Sequence, residues 1–94
     1  MTEALDAGRR SYRQHAWQEA FVQLSAEDGH APLQLDDLER LAVAAELAGE
    51  DAESGAIWSR AHRAALDGGD APRAARCFES AMREIWRQRV NLPS

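Results

Sequence analysis

The sequence predicts an all-α protein, and three observations carry that expectation. Alanine is the commonest residue and all 11 basic residues are arginine, both strong helix formers. β-branched residues are few, and no segment alternates apolar and polar residues long enough to form a half-buried strand. Clusters of Gly, Asp and Pro divide the chain into stretches whose apolar residues recur at helical spacing. At 94 residues there is room for one small domain. With 45% hydrophobic residues for a core and 29% charged residues for its surface, a single domain over 1-94 is expected.

Five helices follow in order. Thr2 is a suitable N-cap for a first helix over about 3–14, with Leu5, Gly8 and Tyr12 on one face. A second, about 16–26, carries Trp17, Ala20, Phe21 and Leu24 at i, i+3, i+4 and i+7, and the turn residues from Glu27 to Pro32 end it. Asp36 and Glu39 form a capping-box-like pair before a third helix with Leu38, Leu41, Ala42, Ala45 and Ala48. Val43 and Leu47 widen its apolar surface, and Gly49 suits the position just past its end. A fourth, about 51–67, presents Ile57, Trp58, Ala61 and Ala65 and stops at Gly68-Gly69. Asp70 caps a fifth, 71-89, which tolerates Pro72 in its first turn. Ala74, Phe78, Ala81, Met82, Ile85 and Trp86 form its apolar side, Arg73, Arg76, Arg83 and Arg87 face solvent, and Pro93 closes the chain.

Charge and cysteine usage narrow the function. Eleven basic against sixteen acidic residues leave a net charge of -5, the wrong sign for a protein that grips phosphates directly. Cys77 alone cannot form an internal disulfide or supply a four-ligand zinc site. No apolar run reaches the roughly 18–20 residues that span a bilayer, and the first residues lack the basic and apolar regions of a signal peptide. A cytoplasmic setting is expected.

Short connections within 3-26 and 36-67 make antiparallel helical hairpins. A shift of 34 residues lays Gly8 on Ala42, Ser11 on Ala45, Ala20 on Ser54 and Leu24 on Trp58. Small residues at matching places let two backbones approach; large ones fill the gap to the next hairpin. Leu38, Leu41, Ala42, Ala45, Gly49, Trp58 and Ala61 fall where tetratricopeptide repeats, whose period is 34, carry their characteristic residues. Ser54 departs from the usual Ala, Glu27 stands where a small residue is expected, and the repeat's usual proline has no counterpart.

The chain thus resembles a tetratricopeptide-like stack of two helical hairpins plus a C-terminal capping helix. The stretches Ala16–Phe21, Asp37–Ala42, Trp58–Arg63 and Gly69–Cys77 are also similar to the helical-repeat region of actinobacterial LuxR-type transcriptional regulators. That resemblance covers the repeats and not the DNA-binding domain. It therefore implies an interaction role, an accessory factor in bacterial regulation, without direct nucleic-acid or membrane binding. In the tetratricopeptide arrangement the first helix of each hairpin lines a concave surface. The resemblance places Leu5, Arg9, Tyr12 and Arg13, then Glu39, Val43, Glu46 and Leu47, on it, facing a protein or peptide partner. Trp86, near the free end, is a further candidate anchor. So short a stack is near the lower limit of independent stability, which predicts self-association into a homodimer.

Catalytic chemistry finds little support. His15, His30 and His62 are scattered, and no metalloprotease, nucleophile-elbow or phosphate-loop motif occurs. No cofactor is expected. Cys77 reads as a packing thiol, and a metal site built on it with His62 has only generic spacing. The acidic group Glu46, Glu50, Asp51 and Glu53 reads either as a solvated face that complements the fourth helix's N-terminus or as a patch for a basic partner. On the fifth helix, Glu79 and Glu84 compete for the arginines. The expectation is a non-catalytic protein–protein interaction module. The alternative is a small self-associating helical protein that binds a small ligand at its interface, which would require a deep apolar pocket.

Overall fold

The computed structural model describes residues 3–90, which form five α-helices and no strand. These are α1 (Glu3–Arg13), α2 (Trp17–His30), α3 (Leu35–Leu47), α4 (Asp51–Asp67) and α5 (Ala71–Val90). The proposed roles of Thr2 and Pro93 fall outside the described residues.

Each turn has an identifiable cause. Between α1 and α2, His15 takes the left-handed backbone conformation at φ 60°. Its ring stacks on Trp17 at 5.0 Å, and Tyr12 meets the same indole edge-on at 5.4 Å, so the turn is clamped by three rings. Gly49 and Gly69 end α3 and α4 at φ 85° and 77°. In each case the next residue donates back across six residues, Glu50 N to Ala45 O and Asp70 N to Ala65 O, both at 2.9 Å or less. Asp70 then caps α5 by accepting a bond from the Arg73 N–H.

Two boundaries differ from expectation. The second helix runs on to His30 instead of ending near residue 26. Its last turn is held by Asp28, which accepts from Arg60 on α4 and from the Leu33 N–H, so tertiary pairing overrides the turn-forming composition. The capping box at the start of α3 does not form. Gln34 is the N-cap, with no side-chain bond, and Asp36 and Glu39 reach instead for Arg73.

Every helix packs on the next in sequence, and α1 also reaches α3. Among the described residues no Cα of α5 lies within 8 Å of a Cα of α1, α2 or α3, and the molecule extends 43 × 33 × 22 Å. The core is Leu24, Leu38, Leu41, Ala42, Ala45, Ile57, Trp58, Ala61, Cys77 and Ala81, with Leu5 and Phe21 against it. Small residues allow the close approaches: a Cβ on Gly8 would lie 2.6 Å from the Leu24 side chain, and the buried Ser54 hydroxyl donates to Ala42 O at 3.0 Å.

The last helix is turned differently from the sequence expectation. Its buried line is Ala74, Cys77, Ala81 and Glu84. Phe78, Met82, Ile85 and Trp86, expected on the packed side, are 41–69% exposed. Arg73, expected in solvent, points inward to α3. The carboxyl of Glu84 takes a core position that hydropathy would give to an apolar residue.

Candidate interaction cleft across α1, α3 and α5

α3 is the middle helix and is buried on a wide arc at Asp37, Leu38, Leu41, Ala42, Ala44 and Ala45. Its remaining stripe is Asp36, Glu39, Arg40 and Val43, at i, i+3, i+4 and i+7. The matching stripe of α5 is Arg73, Arg76, Cys77 and Ser80, at the same spacing. Because the two backbones stand apart, the stripes face each other over an open cleft of about 520 Å³, with Tyr12 on the α1 side and Trp58 reaching it from α4.

Side chains bridge this gap at one end. Arg73 donates through Nε and Nη2 to both Glu39 oxygens, at 3.1 and 2.7 Å, and through Nη2 to Asp36. These bonds hold Glu39 and Asp36 below the usual carboxylate range and raise Arg73 further above an already high value. The Cys77 thiol donates to Glu39 Oε1 at 3.2 Å. Burial first, and that carboxylate second, push the thiol up to about 11, so it is a neutral thiol at physiological pH.

Cationic and apolar surface remain available. Arg76 is exposed and has no ion-pair partner among the described residues. Arg40 gives one N–H to Asp37 at 3.0 Å and is otherwise open. Val43 and Tyr12 are half-buried. Trp58 is 9% exposed, and its indole N–H has no acceptor among the described residues.

Of the positions expected to meet a partner, Tyr12, Glu39 and Val43 line the cleft. Glu46 continues the α3 stripe to Arg83, 4.0 Å away, and Leu47 is exposed beyond it. Leu5 packs on the core and does not face the cleft. Arg9 is held in a two-bond pair with Asp37. Arg13 is exposed at the end of α1, and Trp86 is exposed outside the cleft. The acidic cluster is divided, since Glu46 turns to α5 while Glu53 is exposed on α4. His62 and Cys77 do not converge: His62 Nδ1 lies 2.8 Å from Ala74 O and its ring against Phe78, while Cys77 faces Glu39. Among the described residues no group of His, Cys, Asp or Glu could hold a metal ion, and no helix is long and apolar enough to cross a membrane.

Sequence reasoning missed Arg73, Arg76, Cys77 and Ser80. The signal was available: a second step of 34 residues carries Glu39 to Arg73, Val43 to Cys77 and Glu46 to Ser80, extending the proposed concave line onto α5. Comparison of the chain with known protein families, with curated proteins and with solved structures finds no match.

Proposed function

We propose that the chain is a non-catalytic protein-interaction module of tetratricopeptide type, holding an extended segment of a partner protein in the cleft across α1, α3 and α5. The observation that carries this reading is the pair of facing stripes on α3 and α5, whose backbones stand apart while Arg73 joins them at one end and the Glu46–Arg83 pair at the other. An open trough with a mixed lining suits a peptide, whereas a small ligand asks for enclosure. A second hollow, between α4 and α5, is about 230 Å³, below the usual size for a ligand pocket. The succession of neighbouring helices and the small residues 34 positions apart support the repeat reading. A cytoplasmic accessory role in bacterial regulation follows from the resemblance to LuxR-type regulators.

The cleft's free charge favours a particular segment. Arg76, with no ion-pair partner among the described residues, and Arg40, which gives one N–H to Asp37, line the cleft with Tyr12, Val43 and Trp58, so a peptide with a carboxylate beside an aliphatic or aromatic residue fits best. Selection from a displayed random-peptide library on the wild-type protein should enrich such sequences. Tyr12→Glu with Val43→Glu should weaken the selected peptides by about thirtyfold or more, since a hot-spot residue contributes about 2 kcal/mol. Arg76→Ala should relax the demand for a carboxylate. Peptides that bind a folded double variant as tightly as wild type would place the interaction on another face.

A further inference from the structure

α5 carries two parallel seams, and only one is filled. Ala74, Cys77, Ala81 and Glu84 are buried. Beside them Ala71, Ala75, Phe78, Met82, Ile85 and Arg89 recur at intervals of four, three, four, three and four, and all six are exposed. That alternation is the heptad seam of a coiled coil, which stays on one side of a helix over its whole length. Phe78, Met82 and Ile85 are 45%, 47% and 41% exposed, and Trp86 flanks them at 69%. The hollow between α4 and α5 adjoins the same residues. Contiguous apolar surface of this kind marks an interaction site.

We infer that this seam is a homodimer interface, in which α5 of one copy packs antiparallel on α5 of a second copy. The order of residue sizes along the seam selects that arrangement. The first half is small, Ala71 and Ala75; the second is large, Phe78, Met82 and Ile85. A two-fold axis near residue 80 sets Ala75 against the second copy's Ile85, Phe78 against its Met82, and Ala71 against the stem of its Arg89. The outer pairs set large against small, the central pair packs Phe78 on Met82, and each copy uses the same surface, as a two-fold dimer requires. A parallel pair would instead align Ala with Ala and Arg89 with Arg89. Charge selects the same direction. Exposed Asp67 and Asp70 precede the seam and Arg89 ends it, so the antiparallel pair brings opposite charges together at both ends. The helix dipoles also oppose. Glu79, beside the seam, approaches its own copy at the axis, with Arg83 one turn away to screen it. The cleft stripe of α5, Arg73, Arg76 and Ser80, lies away from the seam, so both clefts stay open in the dimer.

Light scattering across a concentration series tests this on the full chain. The expected result is a species of twice the 10.4 kDa chain mass that dissociates on dilution. Met82→Glu with Ile85→Glu should abolish it while leaving the helical circular dichroism and cooperative melting intact, because both side chains are exposed. Direction is read by disulfide trapping: mixed Ala71→Cys and Arg89→Cys proteins should cross-link to each other, and Ala71→Cys alone should not. A monomer at high micromolar concentration, or a dimer that survives in the folded double variant, overturns the interface. Efficient Ala71→Cys self-linking overturns the antiparallel arrangement.

Discussion

Arg9 on α1 holds the Asp37 carboxylate on α3 by two bonds, Nε to Oδ1 at 2.9 Å and Nη2 to Oδ2 at 2.6 Å. The carboxylate side chain is 3% exposed, and Arg40 adds a third bond at 3.0 Å. The pair crosses the boundary between the first two helices and the rest of the molecule, where α1 meets α3 over a short length. A buried charge without its partner is costly, so the pair fixes how the first hairpin sits.

Arg9→Ala should therefore destabilise the protein by about 2–3 kcal/mol at neutral pH, leaving Asp37 with Arg40 alone. The Arg9 bonds hold Asp37 below its ordinary value, so the native carboxylate binds protons less readily than the unfolded one. Stability from this source is full above the unfolded carboxylate value near 4 and is lost as pH falls below it. Urea titrations of both proteins should show the penalty at pH 7 and its shrinkage near pH 3. A penalty that does not change with pH would assign the effect to packing.

Two helix glycines should respond in opposite directions. A Cβ at Gly8 would stand 2.6 Å from Leu24 Cδ2 and 2.7 Å from its Cγ, and Leu24 is fully buried. Gly8→Ala gains about 1 kcal/mol of helix propensity yet forces α1 from α2, and a net loss of roughly 1–2 kcal/mol is expected. A Cβ at Gly29 meets nothing within 4 Å, so Gly29→Ala should stabilise by about 0.5–1 kcal/mol. Denaturation midpoints of the two variants check both signs.

Cys77 should resist alkylation. Its side chain is buried, its thiol donates to Glu39, and its ionisation is displaced upward to about 11. Iodoacetamide at pH 8 should react with the native protein more than tenfold slower than with the urea-unfolded chain. Glu39→Gln removes one of the causes of the shift and should speed the reaction, whereas a purely steric block would leave the rate unchanged.

The helices were legible because Gly49, Gly69 and Asp70 signal locally: two left-handed turn positions and one cap follow from residue type alone. Gly8 and Ala42 were legible because a 34-residue shift aligns small with small, and both lie at close helix contacts. Asp36 and Glu39 misled because local capping competed with Arg73, which is 34 or more residues away and invisible to local rules. The facing of α5 was misread for a similar reason. Phe78, Met82 and Ile85 outweigh Ala74, Cys77 and Ala81 in hydropathy, but the close approach of α5 to α4 at Gly55 admits the smaller line. The α5 half of the cleft was therefore missed, although the 34-residue step from Glu39 to Arg73 and from Val43 to Cys77 marks it, because hydropathy turned that helix the other way.

Glu84 gives the last prediction. Its side chain is completely buried; Oε1 accepts from Arg87 at 2.8 Å, and Oε2 has no hydrogen-bond partner among the described residues. Burial chiefly, with Glu46 beside it and Asp51 nearby, raises its pKa against the opposing pull of Arg87. The native state thus binds this proton more tightly than the unfolded state, and stability from it is full below the unfolded value near 4.3 and declines as pH rises through the native value. Glu84→Gln cannot ionise. Its melting temperature should exceed that of wild type by an amount that grows from pH 4 to pH 8, while near pH 4 the two converge or the variant falls slightly lower for want of the Arg87 pair. Glu46→Gln, which removes the neighbouring like charge, should flatten the wild-type decline without abolishing it. Melting curves for Glu84→Gln that track wild type at every pH would mean that Arg87 fully compensates the buried carboxylate.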